Sequence, residues 1–154
     1  MLNNTTTIST APRSNEASDL IDTGYILALI NTADEHHGRA AAAARQIKPP
    51  FLTTEAVLTE IGNALSRARW RALGYATIQD LRADPHIEVV PVDAALFERA
   101  LTLYGDRMDK EWGLTDCLSF VVMQERNMMQ VLTTDRHFGQ AGFANLLSDL
   151  PAYS

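Results

Sequence analysis

The chain has 154 residues, of which 46% are hydrophobic and 21% charged, an ordinary globular balance that implies one domain with its own core. Its formal net charge of −6 argues against a protein that grips nucleic acid through a general basic surface. The same acidity leaves room for a nuclease whose metal ions offset local negative charge, and for a basic protein partner.

Taken in chain order, Met1 to Ala17 is rich in Asn, Thr and Ser and lacks the apolar stretch of a signal peptide. We read residues 1–17 as a disordered leader, 18–150 as the folded domain and 151–154 as a tail. Ser18 to Asp22 is a short first strand, and Gly24 to Asn31 an apolar helix that Asp22-Thr23 can cap. An alanine-rich helix spans Asp34 to Ile47 and stops at Pro49-Pro50. Phe51 to Thr53 is a second strand. From Thr54 a helix runs to Arg67 or beyond, with Val57, Ile61, Ala64, Leu65 and Ala68 at helical spacing.

Another helix covers Leu73 to Arg82 and ends before Asp84-Pro85. Ile87 to Val92 is a strand, and Asp93 caps a helix that reaches Tyr104. After a polar loop, Gly105 to Gly113, Thr115 caps a helix to Arg126. Met128 to Leu132 is a strand, Phe138 to Gly142 a turn and Phe143 to Leu147 an edge strand. Strands alternating with helices predict an α/β fold: a mainly parallel sheet of four to five strands, with helices on both faces.

Four carboxylates stand at telling places. Asp22 ends the first strand and Asp135 follows the fourth, and ligands of open α/β sheets lie beyond the carboxyl ends of strands. Asp116 sits in the first turn of a helix whose continuation, Cys117 to Met123, is almost entirely apolar. Glu60 borders the apolar stripe of its helix. Clustered acids repel and raise one another's pKa, which a divalent cation resolves. Carboxylate oxygens suit Mg²⁺ or Mn²⁺, and such ions activate water against a phosphodiester. Each acid also has a plainer reading: a helix cap for Asp22, a helix-dipole partner for Asp116, a solvated flank for Glu60 and a turn former for Asp135.

The motifs around these acids resemble those of the PIN-domain family. They are Ile21-Asp22-Thr23, Thr53-Thr54-Glu55 leading to Glu60-Ile61-Gly62-Asn63-Ala64-Leu65, Leu114 to Phe120, and Leu132-Thr133-Thr134-Asp135-Arg136-His137-Phe138. The resemblance covers Ser18 to Leu147 and implies a three-layer α/β/α nuclease of the VapC type. It implies an endoribonuclease dependent on Mg²⁺ or Mn²⁺, commonly the toxin of a type II toxin–antitoxin pair. Asp22 and Asp116 would be direct metal ligands, and Glu60 and Asp135 would complete the pocket. Thr23 or Thr134 would orient a ligand or phosphate. A cognate antitoxin, an RNA substrate and a homodimer are implied partners. The alternative is a PIN-like module that binds RNA or protein without cutting it.

Other features carry smaller expectations. Arg67, Arg69 and Arg71 flank Trp70 and can contact phosphate or simply solvate a helix end. Lys110 and Arg136, near acidic motifs, are further phosphate candidates. His36-His37 is expected to face solvent, and His137 to serve packing or surface more than substrate. Asp22-Thr23-Gly24 matches the aspartic-protease tripeptide, but that enzyme needs an all-β setting. Cys117, the one cysteine, excludes a disulfide framework and reads as an inert core thiol. No apolar run approaches the roughly 20 residues of a membrane span, so a cytoplasmic protein is expected.

Overall fold

The computed structural model describes residues 17–150. The expected tail and nearly all of the expected leader lie outside them. Five strands form one sheet: β1 (Asp19–Ile21), β2 (Phe51–Thr54), β3 (Ile87–Val90), β4 (Gln130–Leu132) and β5 (Ala144–Asn145). Their order is β3-β2-β1-β4-β5, and every pair is parallel. Seven helices accompany them among the described residues: α1 (Thr23–Ile30), α2 (His37–Gln46), α3 (Glu55–Ala64), α4 (Ala68–Ala83), α5 (Ala94–Asp106), α6 (Leu114–Glu125) and α7 (His137–Gln140).

The pleat explains the three layers. Successive strand residues point to opposite faces, so a sheet covered on both sides needs apolar residues at consecutive positions. Leu20 and Val131 enter a core built with Leu96, Trp112, Phe120 and Phe138, contributed by α5, α6, α7 and the loop before α6. Their neighbours Ile21 and Leu132 enter a second core with Tyr25, Ile26, Ala40, Val57 and Ile61, from α1, α2 and α3. In the first core, Phe120 meets Trp112 and Phe138 edge to face at centroid distances of 5.0 and 4.9 Å. These contacts fasten α6 to α7 and to the loop before it, on the side where the acids lie.

Several boundaries differ from expectation. The helix expected through Arg67 breaks after Ala64, and α4 begins at Ala68 rather than Leu73. The break lets α4 fold back on α3, where buried Gly74 lies so close to Leu65 that an added Cβ would stand 3.0 Å from the Leu65 Cβ. The second helix starts at His37, not Asp34, because the Asp34 carboxylate turns the chain by accepting the His36 N–H at 2.8 Å. His37 is half-buried rather than solvent-facing, its Nδ1 lying 2.8 Å from the Ala28 carbonyl. The turn expected at Phe138–Gly142 is the short helix α7, and the last strand shrinks to two residues. Asp93 does cap α5, accepting the Leu96 N–H at 2.8 Å. No described helix is long and apolar enough to cross a membrane.

Candidate active site

The chain lays β1, β2 and β3 to one side, then places β4 and β5 on the other flank of β1. The order therefore reverses between β1 and β4, where crossover helices leave toward opposite faces and open a crevice. Asp22 leaves the end of β1 and donates its backbone N–H to the Leu132 carbonyl of β4 at 3.0 Å. Thr133, Thr134 and Asp135 follow β4 directly. Topology alone thus brings the first and fourth motifs side by side.

Threonine hydroxyls lock this arrangement. Thr133, fully buried, donates its hydroxyl to Asp22 Oδ2 at 2.7 Å and accepts the Asp135 N–H at 2.9 Å. Thr23 donates to Glu60 Oε2 at 2.7 Å, tying the start of α1 to the middle of α3. Thr53 donates to the Ile21 carbonyl at 2.9 Å and secures β2 beside β1. Asp22 stands at the start of α1 but makes no side-chain cap there. Its carboxylate is spent on Thr133, so the capping reading of Asp22 does not describe it.

Asp116 reaches the same place from α6. Gly113, not the expected Thr115, occupies the position before the helix, and its N–H donates to Asp116 Oδ2 at 3.0 Å. An acid in the first turn also complements the helix dipole. His137 Nδ1 lies 2.9 Å from Asp116 Oδ2 and 3.1 Å from Asp135 Oδ2. Asp135 in turn accepts the His137 N–H at 2.9 Å. Ligand atoms of Asp116, Asp135 and His137 all fall within 4.8 Å of one another, close enough to share one ion.

The electrostatics are those of crowded acids. Burial pushes the Asp22 carboxyl up from 3.8 to about 7; hydrogen bonds from Thr133 and Thr23 oppose this, and the charges of Asp116 and Glu60 add to it. Burial also raises Asp116, against the hydrogen bonds of His137 and Gly113, with the charge of Asp135 adding to the rise. Ionising an acid in such surroundings is costly unless the site gains a cation. The donor set is mostly carboxylate oxygen, which fits a hard divalent ion better than a soft one.

The structure therefore draws Asp22, Glu60, Asp116 and Asp135 into one connected network. Thr23 belongs to it through Glu60. Thr134 borders it: the approach is so close that a Cβ added to Gly24 would lie 2.1 Å from the Thr134 hydroxyl. Arg67 and Arg136 are exposed at the starts of α4 and α7, with no hydrogen bond into the network. Two members are not signalled by the acidic pattern: Thr133 reads as part of a strand end, and His137 as a packing or surface residue. A hydroxyl at the strand terminus, two residues before an acid, was the available signal for Thr133. Cys117 is buried, and burial together with the neighbouring Asp116 charge lifts its thiol to about 11, which keeps it neutral and inert.

A parallel sheet sandwiched by helices, with acids converging at its switch point, defines a class of α/β nuclease-like domains and excludes the all-β protease reading of Asp22-Thr23-Gly24. The PIN domain profile matches residues 20–144, and the chain belongs to that family. It is 28% identical over 126 residues to the 23S rRNA-specific endonuclease VapC20 of Mycobacterium tuberculosis, spanning 82% of this chain and 95% of the relative. The crystal structure of that protein, described as a sarcin-ricin loop cleaving toxin, superposes with a TM-score of 0.78 at 27% identity, covering 84% of this chain and 98% of the other. FitAcB from Neisseria gonorrhoeae shares the fold at a TM-score of 0.61 and 16% identity, over 85% and 99% of the two chains. A toxin–antitoxin complex from Klebsiella pneumoniae shares it at 0.54 and 15%, over 88% and 98%.

Proposed function

We propose that this protein is an endoribonuclease dependent on Mg²⁺ or Mn²⁺, and the toxin of a type II toxin–antitoxin pair. The observation that carries the reading is the convergence of Asp22, Glu60, Asp116 and Asp135 from four separate elements, fixed by Thr23, Thr133 and His137. Its family membership and its likeness to an RNA-cleaving relative support RNA as the substrate.

Asp22 and Asp116 would hold the ion, and Glu60 and Asp135 would complete its surroundings directly or through water. A bound divalent ion supplies an activated water and neutralises the leaving oxygen of the phosphodiester. The protein's own part is positional. Thr133 keeps Asp22 and the Asp135 backbone in one register, so a shift of β4 against β1 would disturb both acids at once. Thr23 keeps the Glu60 carboxylate turned toward α1. His137 Nδ1 lies between the Asp116 and Asp135 carboxylates, and the Gly113 N–H holds Asp116 from the other side.

An antitoxin and a second copy of the chain belong to the same reading. Two helix faces suit protein partners: Trp70 with Leu73 on α4, and Phe97 with Leu101 on α5, each pair about one turn apart and 38–43% exposed. The decisive test is cleavage of RNA by the purified chain in Mg²⁺ or Mn²⁺, beside Asp116→Asn. Loss of cutting in the variant and in chelator supports the reading. Equal, chelator-insensitive cutting by both refutes it.

A further inference from the structure

A cavity of about 490 Å³ opens between the end of α5 and the start of α6. Its size falls in the ~300–1,000 Å³ range of sites that enclose a small-ligand-sized group. Gly113 and the first turn of α6 form one wall, and that turn carries Asp116. The cavity therefore adjoins the acidic network.

Its lining gathers two cations, Arg107 and Lys110, with the carboxylate Glu111, and Asp109 beside them pairs with both, its Oδ2 lying 3.8 Å from Lys110 Nζ. Both cations are seated on the face of Trp112: the Arg107 guanidinium carbon lies 4.9 Å and Lys110 Nζ 5.9 Å from the ring centroid. Trp112 is itself only 6% exposed, and its Nε1 donates to Gln140 Oε1 at 3.1 Å. The indole is thus a fixed floor. Asp109 accepts Arg107 Nε and Nη2, each at 2.9 Å, leaving Nη1 unclaimed by that pair. Tyr104, 48% exposed, stands at the rim.

A rigid pair of cations recognises a phosphate, and an exposed aromatic ring beside it offers a base a surface to stack on. We propose that this cavity is a nucleotide subsite, taking the RNA residue next to the one whose bond is cut. Arg107 and Lys110 hold its phosphate, and Tyr104 stacks on its base. The assignment rests on the ribonuclease reading above and adds to it the path by which the strand leaves Asp116. Lys110 already stood out in the sequence as a cation near an acidic motif; the cavity supplies its companions.

The test measures binding of a short single-stranded RNA in an Asp22→Asn, Trp70→Phe background, so that the strand stays whole and Trp112 is the only tryptophan reporter. RNA is expected to change Trp112 fluorescence. The slope of log affinity against log salt should fall by about 0.7 for Arg107→Gln or Lys110→Gln and about 1.4 for both together, while Arg107→Lys keeps it. Tyr104→Ala should weaken binding about tenfold without changing the slope. Cleavage by the wild-type chain in Mn²⁺ is measured in parallel. Cleavage with unchanged slopes, or an equal Trp112 response to polyglutamate, overturns the subsite alone. No cleavage and no binding overturns the underlying ribonuclease reading, and the subsite with it.

Discussion

Asp22→Asn should make the metal-free protein more stable near neutral pH while abolishing its function. Asp22 is 5% exposed, and its carboxyl is raised from 3.8 to about 7, with burial the largest cause. A carboxyl raised in the folded state stabilises folding fully below its unfolded value, and that contribution is lost as pH climbs through the folded value. The window is therefore roughly pH 4 to 7. A shift of about three units at 1.36 kcal/mol each sets an upper limit of roughly 4 kcal/mol lost on ionisation. Asparagine removes the titration yet keeps an oxygen to accept the Thr133 hydroxyl. At pH 8 in chelator the variant should melt higher by several degrees, at about 2–4 °C per kcal/mol for a chain of this size. At pH 4 the two proteins should melt alike. Adding Mn²⁺ should raise the wild type but not the variant, because an ion that binds only the folded acid site stabilises by mass action. Thermal melts at both pH values, with chelator and with Mn²⁺, read all of this. A variant that is less stable at pH 8 and responds to Mn²⁺ as the wild type does would refute the account of Asp22.

Three further outcomes follow from the same network. Gly24→Ala would push a methyl group to 2.1 Å from the Thr134 hydroxyl, so a loss of about 1–3 kcal/mol is expected in urea unfolding, partly recovered by adding Thr134→Ala. Thr133→Val removes the donor to Asp22 and the acceptor for the Asp135 N–H, so Asp22 should titrate still higher and the acidic limb of RNA cleavage should move to higher pH at fixed Mn²⁺. His137→Ala leaves Asp116 and Asp135 facing each other without a shared partner; the protein should lose stability in chelator and regain most of it in Mn²⁺, as followed by melting.

Much of the frame was legible because it depends on local chemistry. Leu20-Ile21 and Val131-Leu132 are consecutive apolar residues in short strands, which only a sheet covered on both faces requires. Asp22 and Asp135 could be placed because strand ends in such sheets share a crevice. Helix boundaries were harder. The Leu65–Arg67 break is imposed by tertiary packing of Gly74 on Leu65, and no proline marks it. His137 is hidden in the sequence for a related reason. One of its two acid partners, Asp116, is 21 residues away in the chain, and only the packing of α7 on α6 joins them. The cap of α6 was misplaced by two residues because glycine supplies no side chain to signal it, while Asp116 reaches back to its N–H.

If acids from four elements form one cation site, a crystal soaked in Mn²⁺ and measured for anomalous scattering will show it. A strong peak is expected bonded to the carboxylates of Asp22 and Asp116, with Glu60 and Asp135 around it. Absence of a peak there at saturating Mn²⁺, or a peak held by neither Asp22 nor Asp116, would contradict it.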